Sequence, residues 1–167
     1  LASSGSGQQI RDALLEKART SKVEINLVVD SLGVFLFSPL RGARDLREMK
    51  KAGIHVRLNR HFLFPRRGQA LFRSDHRKLV EIDHQVAYVG GMNFAKSFDG
   101  WRDLMVRAEG PVAAQSGAEF LGRWGDLGGT VSRKQWTMLR TAALAPTAAG
   151  KASAKLVANS PGGDLAN

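Results

Sequence analysis

The chain has no cysteine among its 167 residues, which excludes disulfide cross-links and thiolate metal sites. Its four histidines are scattered without paired zinc-ligand spacing, so neither a metal nor another cofactor is expected. No apolar run reaches the ~18 residues that a membrane-spanning helix needs. The longest candidate, VEINLVVDSLGVFLF, is interrupted by Glu24, Asn26 and Asp30. Carboxylates are in short supply: 15 Asp and Glu face 25 Lys and Arg. The resulting net charge of +10 favours phosphate-bearing partners, whether nucleic acid or anionic lipid.

What is present is a hydrophobic fraction of 43%, enough for one core in a chain of single-domain length. One stretch carries most of the chemistry. From Asp75 to Asn93 the chain reads DHRKLVEIDHQVAYVGGMN, placing His76, Lys78, Asp83, Gly90, Gly91 and Asn93 in the spacing H-x-K-x4-D-x6-G-G-x-N. KLVEID and QVAYV are short, β-branched-rich runs separated by the polar pair Asp83-His84, the pattern of a β-hairpin. Residues two apart on a strand share a face, so His76 and Lys78 are expected to project together. A neutral imidazole can attack phosphorus, and an adjacent ammonium offsets charge developing on phosphoryl oxygens. Gly90 and Gly91 permit positive φ and close backbone approach, and Asn93 offers an amide donor, together a phosphate cradle. Asp83 has the opposite strand parity and falls at the turn, where it is expected to hydrogen-bond local backbone.

A His-x-Lys pair alone usually marks a solvated strand face, and Gly-Gly alone a turn. The six positions together match by chance at a rate on the order of 10⁻⁸ per starting point. The spacing resembles the HKD motif of the phospholipase D superfamily, in its bacterial cardiolipin synthase-like branch. VEINLVVDSLG (23–33), REMKKAGIHVRLNR (47–60), WRDLMVRAEGP (101–111) and AEFLGRW (118–124) resemble the flanking strands and helices of that branch, so the likeness covers about residues 8–124. It implies that His76 is the nucleophile or the general acid, that Lys78 and Asn93 bind phosphate, and that Asp83 is the motif's structural aspartate. A nucleophilic imidazole needs an acceptor on its second ring nitrogen. The resemblance gives that role to Asp103, whose alternative is an ordinary strand-end salt bridge. Many relatives have Gly where this chain has His84, a residue that tolerates left-handed geometry better than most.

Superfamily enzymes build one site from two such motifs, and this chain has one. His55, His61 and His84 are followed two residues on by Arg57, Leu63 and Val86, so none supplies a second. The chain opens at Leu1 rather than Met, and its last run, KLVANSPGGD (155–164), resembles the start of a second repeat. These features imply the amino-terminal half of a two-motif protein: an HKD half-domain over 1–124, a connector over 125–154 and a truncated second repeat over 155–167. The other arrangement is a homodimer pairing two His76 rings about a two-fold axis.

The expected order is helix (9–20), strand (23–30), helix (40–52), strand (55–58), the hairpin, strand (104–108) and helix (112–124). Such alternation predicts an α/β fold, which the resemblance narrows to one phospholipase D-like α/β/α sandwich around a mixed sheet. Ahead of the motif, Arg57, Arg60, Arg66, Arg67 and Arg73 interleave with Phe62, Phe64 and Phe72. That segment suits a lipid headgroup region, stacking on single-stranded bases, or a solvated loop whose Phe side chains fill the core. The reading implied is a phosphatidyltransferase of cardiolipin synthase type, peripheral at the cytoplasmic membrane face and acting on a phosphatidylglycerol-like lipid through phosphohistidine. The rivals are a single-motif homodimeric phosphodiesterase or nuclease and a half-domain that binds phosphate or lipid without turnover.

Overall fold

The computed structural model describes residues 5–31, 33–34, 39–59, 75–145 and 152–158. Most of the arginine- and phenylalanine-rich segment, including Arg60, Phe62, Phe64, Arg66, Arg67, Phe72 and Arg73, lies outside the described residues, as does the Pro-Gly-Gly run near the end. The chain divides into two compact units. The first comprises residues 1–77, 91–104 and 127–129, and the second 78–90, 105–126 and 130–167.

The first unit holds helix α1 (Ser6–Thr20), strand β1 (Asn26–Asp30), helix α2 (Pro39–Lys51) and strand β2 (His55–Asn59). β1 and β2 pair in parallel, with Asp30 opposite Asn59 at their carboxyl ends. Leu15 of α1, Val29 of β1, Met49 of α2, Ile54 and Val56 form the buried core, with Leu14, Ala18, Leu27, Leu46 and Leu58 packed against it. Each such large side chain contributes roughly 1.5–3 kcal/mol when fully buried. α2 ends close to its expected limit, just ahead of Gly53, whose φ of 91° suits only glycine without strain. The Ile54 N–H donates to Met49 C=O (3.0 Å) and the Gly53 N–H to Lys50 C=O (3.1 Å), a Schellman closure sealed by buried Met49 and Ile54.

The second unit holds the antiparallel sheet β3 (Lys78–Ile82), β4 (Val86–Gly90) and β5 (Met105–Glu109), with helix α3 (Pro111–Asp126) against it and helix α4 (Arg133–Leu144) against α3. Pro111 opens α3, where its missing N–H costs nothing. Small residues at Ala113, Ala114, Ser116 and Gly117 are buried and let α3 lie close to its neighbours. Trp124 is buried, stacks on Phe120 at 6.2 Å and donates Nε1–H to Thr130 C=O at 3.2 Å.

The fold is α/β with both parallel and antiparallel strands, as expected. Among the described residues these strands form two separate sheets rather than one mixed sheet. The sequence reading assigns 125–154 to a connector and names no helix there; α4 forms within it. Its Ser132 hydroxyl accepts from the Gln135 N–H, and Gln135 Oε1 accepts from the Ser132 N–H, a complete capping box. Leu139 then packs with Ala114 and Leu121, an anchor that Ala-, Gly- and Thr-rich composition conceals.

Candidate active site

The carboxyl ends of β1 and β2 lead to the motif. One oxygen of Asp30, Oδ2, accepts from Asn59 Nδ2 (3.3 Å) and from the backbone N–H of Asp75 (2.7 Å). The Asp75 carboxylate in turn accepts from Arg77 Nε (2.8 Å), Arg77 Nη2 (2.6 Å) and the Arg77 N–H (3.3 Å). His76 stands between these two residues with its side chain exposed. It is not on a strand: the ladder begins at Lys78, opposite Gly90, and His76 lies in a lead-in without regular secondary structure at 75–77.

Gly90 and Gly91 do not use the positive φ that glycine permits. Gly90 is an ordinary residue of β4, and Gly91 serves close approach. A Cβ on Gly91 would collide with the Asp103 carboxylate, lying 3.3 Å from its Cγ. Asp103 precedes β5 rather than standing on it, and its Oδ1 accepts the N–H of Leu104 at 2.9 Å. The Gly91 N–H donates to Leu104 C=O at 3.1 Å, closing residues 91–104 into a loop. Half-buried Asn93 lies in this loop, followed by a 3-10 turn (Lys96–Phe98). The loop's Asp99 accepts from the Ser6 hydroxyl at 2.6 Å and the Ser6 N–H at 3.4 Å, tying it to the start of α1. Trp101 is edge-on to Phe98 at 5.0 Å yet 66% exposed; Leu104 is 70% and Met92 38% exposed.

At the hairpin turn both Asp83 (φ 52°) and His84 (φ 59°) are left-handed, and the Gln85 N–H donates to Ile82 C=O at 3.0 Å. His84 thus takes the left-handed geometry that it was expected to tolerate. Asp83 is exposed and does not supply the expected local hydrogen bond; the side chain that accepts the His84 N–H is Glu81. His84 Nδ1 stands 3.1 Å from the same Glu81 oxygen, at ion-pair distance but without hydrogen-bond alignment, and is buried against α3 at Gly117. Burial pushes the Glu81 carboxyl above its ordinary range, against the attraction and hydrogen bonding of His84.

Sequence reasoning missed Asp30, Asn59 and Asp75. The available signal was an acidic residue closing an apolar β-run at Asp30, and a buried amide, Asn59, at the matching end of the neighbouring strand. Among the described residues, no three His, Asp or Glu side chains converge as metal ligands.

A family model described as "Cardiolipin synthase, PLD-like domain" matches residues 2–124. The probable cardiolipin synthase YwiE of Bacillus subtilis (strain 168) is 31% identical over 125 residues, which covers 71% of this chain and 24% of the relative. The major cardiolipin synthase ClsA of the same strain is 31% identical over 129 residues, covering 71% of this chain and 25% of the relative. Cardiolipin synthase A of Cronobacter sakazakii is 35% identical over 134 residues, covering 72% and 26%. The chain thus spans about a quarter of the length of these relatives. No solved structure shows significant similarity.

Proposed function

We propose that this chain, which belongs to the family of cardiolipin synthase PLD-like domains, supplies one HKD half of a phosphatidyltransferase that works on phospholipid through a phosphohistidine intermediate. The single observation that carries the reading is the His76-x-Lys78 pair, with both peptide neighbours of His76 held by Asp30 and Asp75 and the imidazole itself exposed.

In the first step His76 attacks the phosphorus of a phospholipid donor, forming a P–N bond as the P–O bond to the leaving alcohol breaks. Lys78 and Asn93 offset charge on the non-bridging oxygens. The leaving alkoxide takes its proton from a complementary histidine, supplied by a second motif in the same protein or by a second copy. In the second step an acceptor hydroxyl, such as the glycerol headgroup of phosphatidylglycerol, gives its proton to that histidine and attacks phosphorus. The P–N bond breaks and His76 is regenerated. Asp103 is the proposed acceptor for the second imidazole nitrogen, which holds the tautomer and stabilises the charged adduct. Asp83 takes the structural position in the hairpin turn.

Association with an anionic membrane surface, peripherally at its cytoplasmic face, completes the reading. The net charge of +10 and the exposed Trp101, Leu104 and Met92 support it. Among the described residues no helix is long and apolar enough to cross a membrane.

The deciding experiment is His76→Ala in the full-length protein, assayed with phosphatidylglycerol vesicles and, separately, with single-stranded DNA. The expected result is loss of lipid turnover and of acid-labile phosphoenzyme, with vesicle binding nearly unchanged. Full turnover in the variant would refute the HKD assignment. Cleavage of DNA but not lipid would transfer the site to a phosphodiesterase.

A further inference from the structure

We infer that Asp30 is a positioning residue for His76, acting through the backbone of Asp75; the inference rests on the reading of His76 as the group that attacks phosphorus. Asp30 and His76 are 46 positions apart in sequence, yet the Asp30 carboxylate takes the N–H of the residue immediately before His76 at 2.7 Å. A charged acceptor at that distance makes one of the stronger hydrogen bonds available to a backbone donor. The carboxylate is itself held, because the Asn59 amide donates to the same oxygen and Asn59 is 2% exposed, leaving its side chain little room to turn.

The bond has a direction that plain strand-end stabilisation lacks. Asp30 ends β1 opposite Asn59 in the parallel ladder, and its carboxylate also takes a 2.7 Å bond from the chain that enters the motif. On the far side of His76, Arg77 is clasped through its guanidinium and its N–H by Asp75. Both peptide neighbours of His76 are therefore fixed. These anchors limit the backbone freedom that would carry the imidazole away from an in-line approach to phosphorus. The anchor also lies at the carboxyl ends of two parallel strands, where open α/β sheets place their ligands. A displacement of a reacting group by ~1 Å is enough to cost on the order of 100-fold in rate, so a backbone anchor one residue away has the leverage required.

The test compares Asp30→Ala and Asp30→Asn in the full-length protein, with His76→Ala as reference. Asp30→Ala is expected to lower kcat for phosphatidyl transfer between phosphatidylglycerol molecules by about 100-fold, with KM within about threefold of wild type. Asp30→Asn retains a side-chain oxygen for the Asp75 N–H and is expected to recover most of that loss. Amide hydrogen exchange at Asp75 should accelerate in Asp30→Ala and stay slow in Asp30→Asn, whatever the assay of turnover reports. If His76→Ala is inactive while Asp30→Ala keeps wild-type kcat, the positioning role fails and the reading of the site stands. If turnover survives His76→Ala, the reading of the site is what fails. A raised KM at unchanged kcat, or loss of the folded state in both Asp30 variants by circular dichroism, would also overturn the inference, because Asp30 would then serve lipid binding or the fold.

Discussion

At position 91 the missing side chain leaves room for a carboxylate. Asp103 occupies the space that any Cβ on Gly91 would need, while the Gly91 N–H is committed to Leu104. Gly91→Ala is therefore expected to push the Asp103 carboxylate aside. Because Asp103 is exposed and its end can move, the stability cost should stay near ~1 kcal/mol. The cost in kcat should be greater, about 10- to 100-fold, if Asp103 holds the imidazole tautomer. Thermal unfolding and steady-state kinetics on one sample separate the two, and unchanged kcat would remove Asp103 from the site. The residue types of the motif were legible because His, Lys, Gly and Asn occur in a fixed spacing. The reason for Gly91 was only partly legible, since backbone freedom and close approach leave the same letter in a sequence. The Asp30–Asp75 bond was not legible at all, because a hydrogen bond across 45 residues leaves no periodicity.

The β3–β4 hairpin carries a half-buried carboxyl, Glu81, that the motif does not require. The folded-state pKa of Glu81 is raised by burial above the ordinary 4.5, so between those values the folded state holds the proton more tightly than the unfolded chain. Stability from this group is greatest at the acid end of that window and declines as pH rises through the folded value. Glu81→Gln keeps an oxygen for the His84 N–H and cannot ionise. Denaturant melts of the two proteins from acid to neutral pH should show wild type losing stability relative to Glu81→Gln as pH rises. Parallel curves would show that the Glu81 carboxyl is not displaced by folding. This hairpin was readable in advance because its β-branched runs flank a polar pair, and α2 because Gly53 ends it. Helix α4 was overlooked: its buried contribution is concentrated in Leu139, and its clearest marker is the Ser132-x-x-Gln135 box rather than an apolar stripe.

For the whole molecule, charge and exposed apolar groups would make separable contributions to the proposed membrane contact. An excess of +10 should favour phosphatidylglycerol vesicles over phosphatidylcholine ones. Basic residues close to such a surface contribute about 1 kcal/mol each at low salt, an attraction that weakens within a Debye length of ~10 Å at 0.1 M. Binding by sedimentation should therefore fall steeply with added salt. Trp101→Ala should lower the bound fraction at every salt concentration without altering the salt slope, since it removes an apolar contact and no charge. A changed slope, or no loss, would remove Trp101 from the contact.

The two compact units are interleaved along the chain, and this orders events on the ribosome. The first unit opens with α1 but recruits residues 91–104 and 127–129, so strands β3 to β5 and helix α3 are synthesised before the first is complete. α1 waits long for its partner: the Ser6 N–H and hydroxyl meet Asp99 only after another 93 residues have been added. At ~5–20 residues per second, several seconds of elongation pass with the start of this helix uncapped. Parallel pairing of β1 with β2 adds a further non-local step of the kind that slows folding. Nascent chains from which Asp99 has not yet emerged should thus present an unlatched α1 to chaperones, whereas chains from which residues 91–104 and 127–129 have emerged should already hold it.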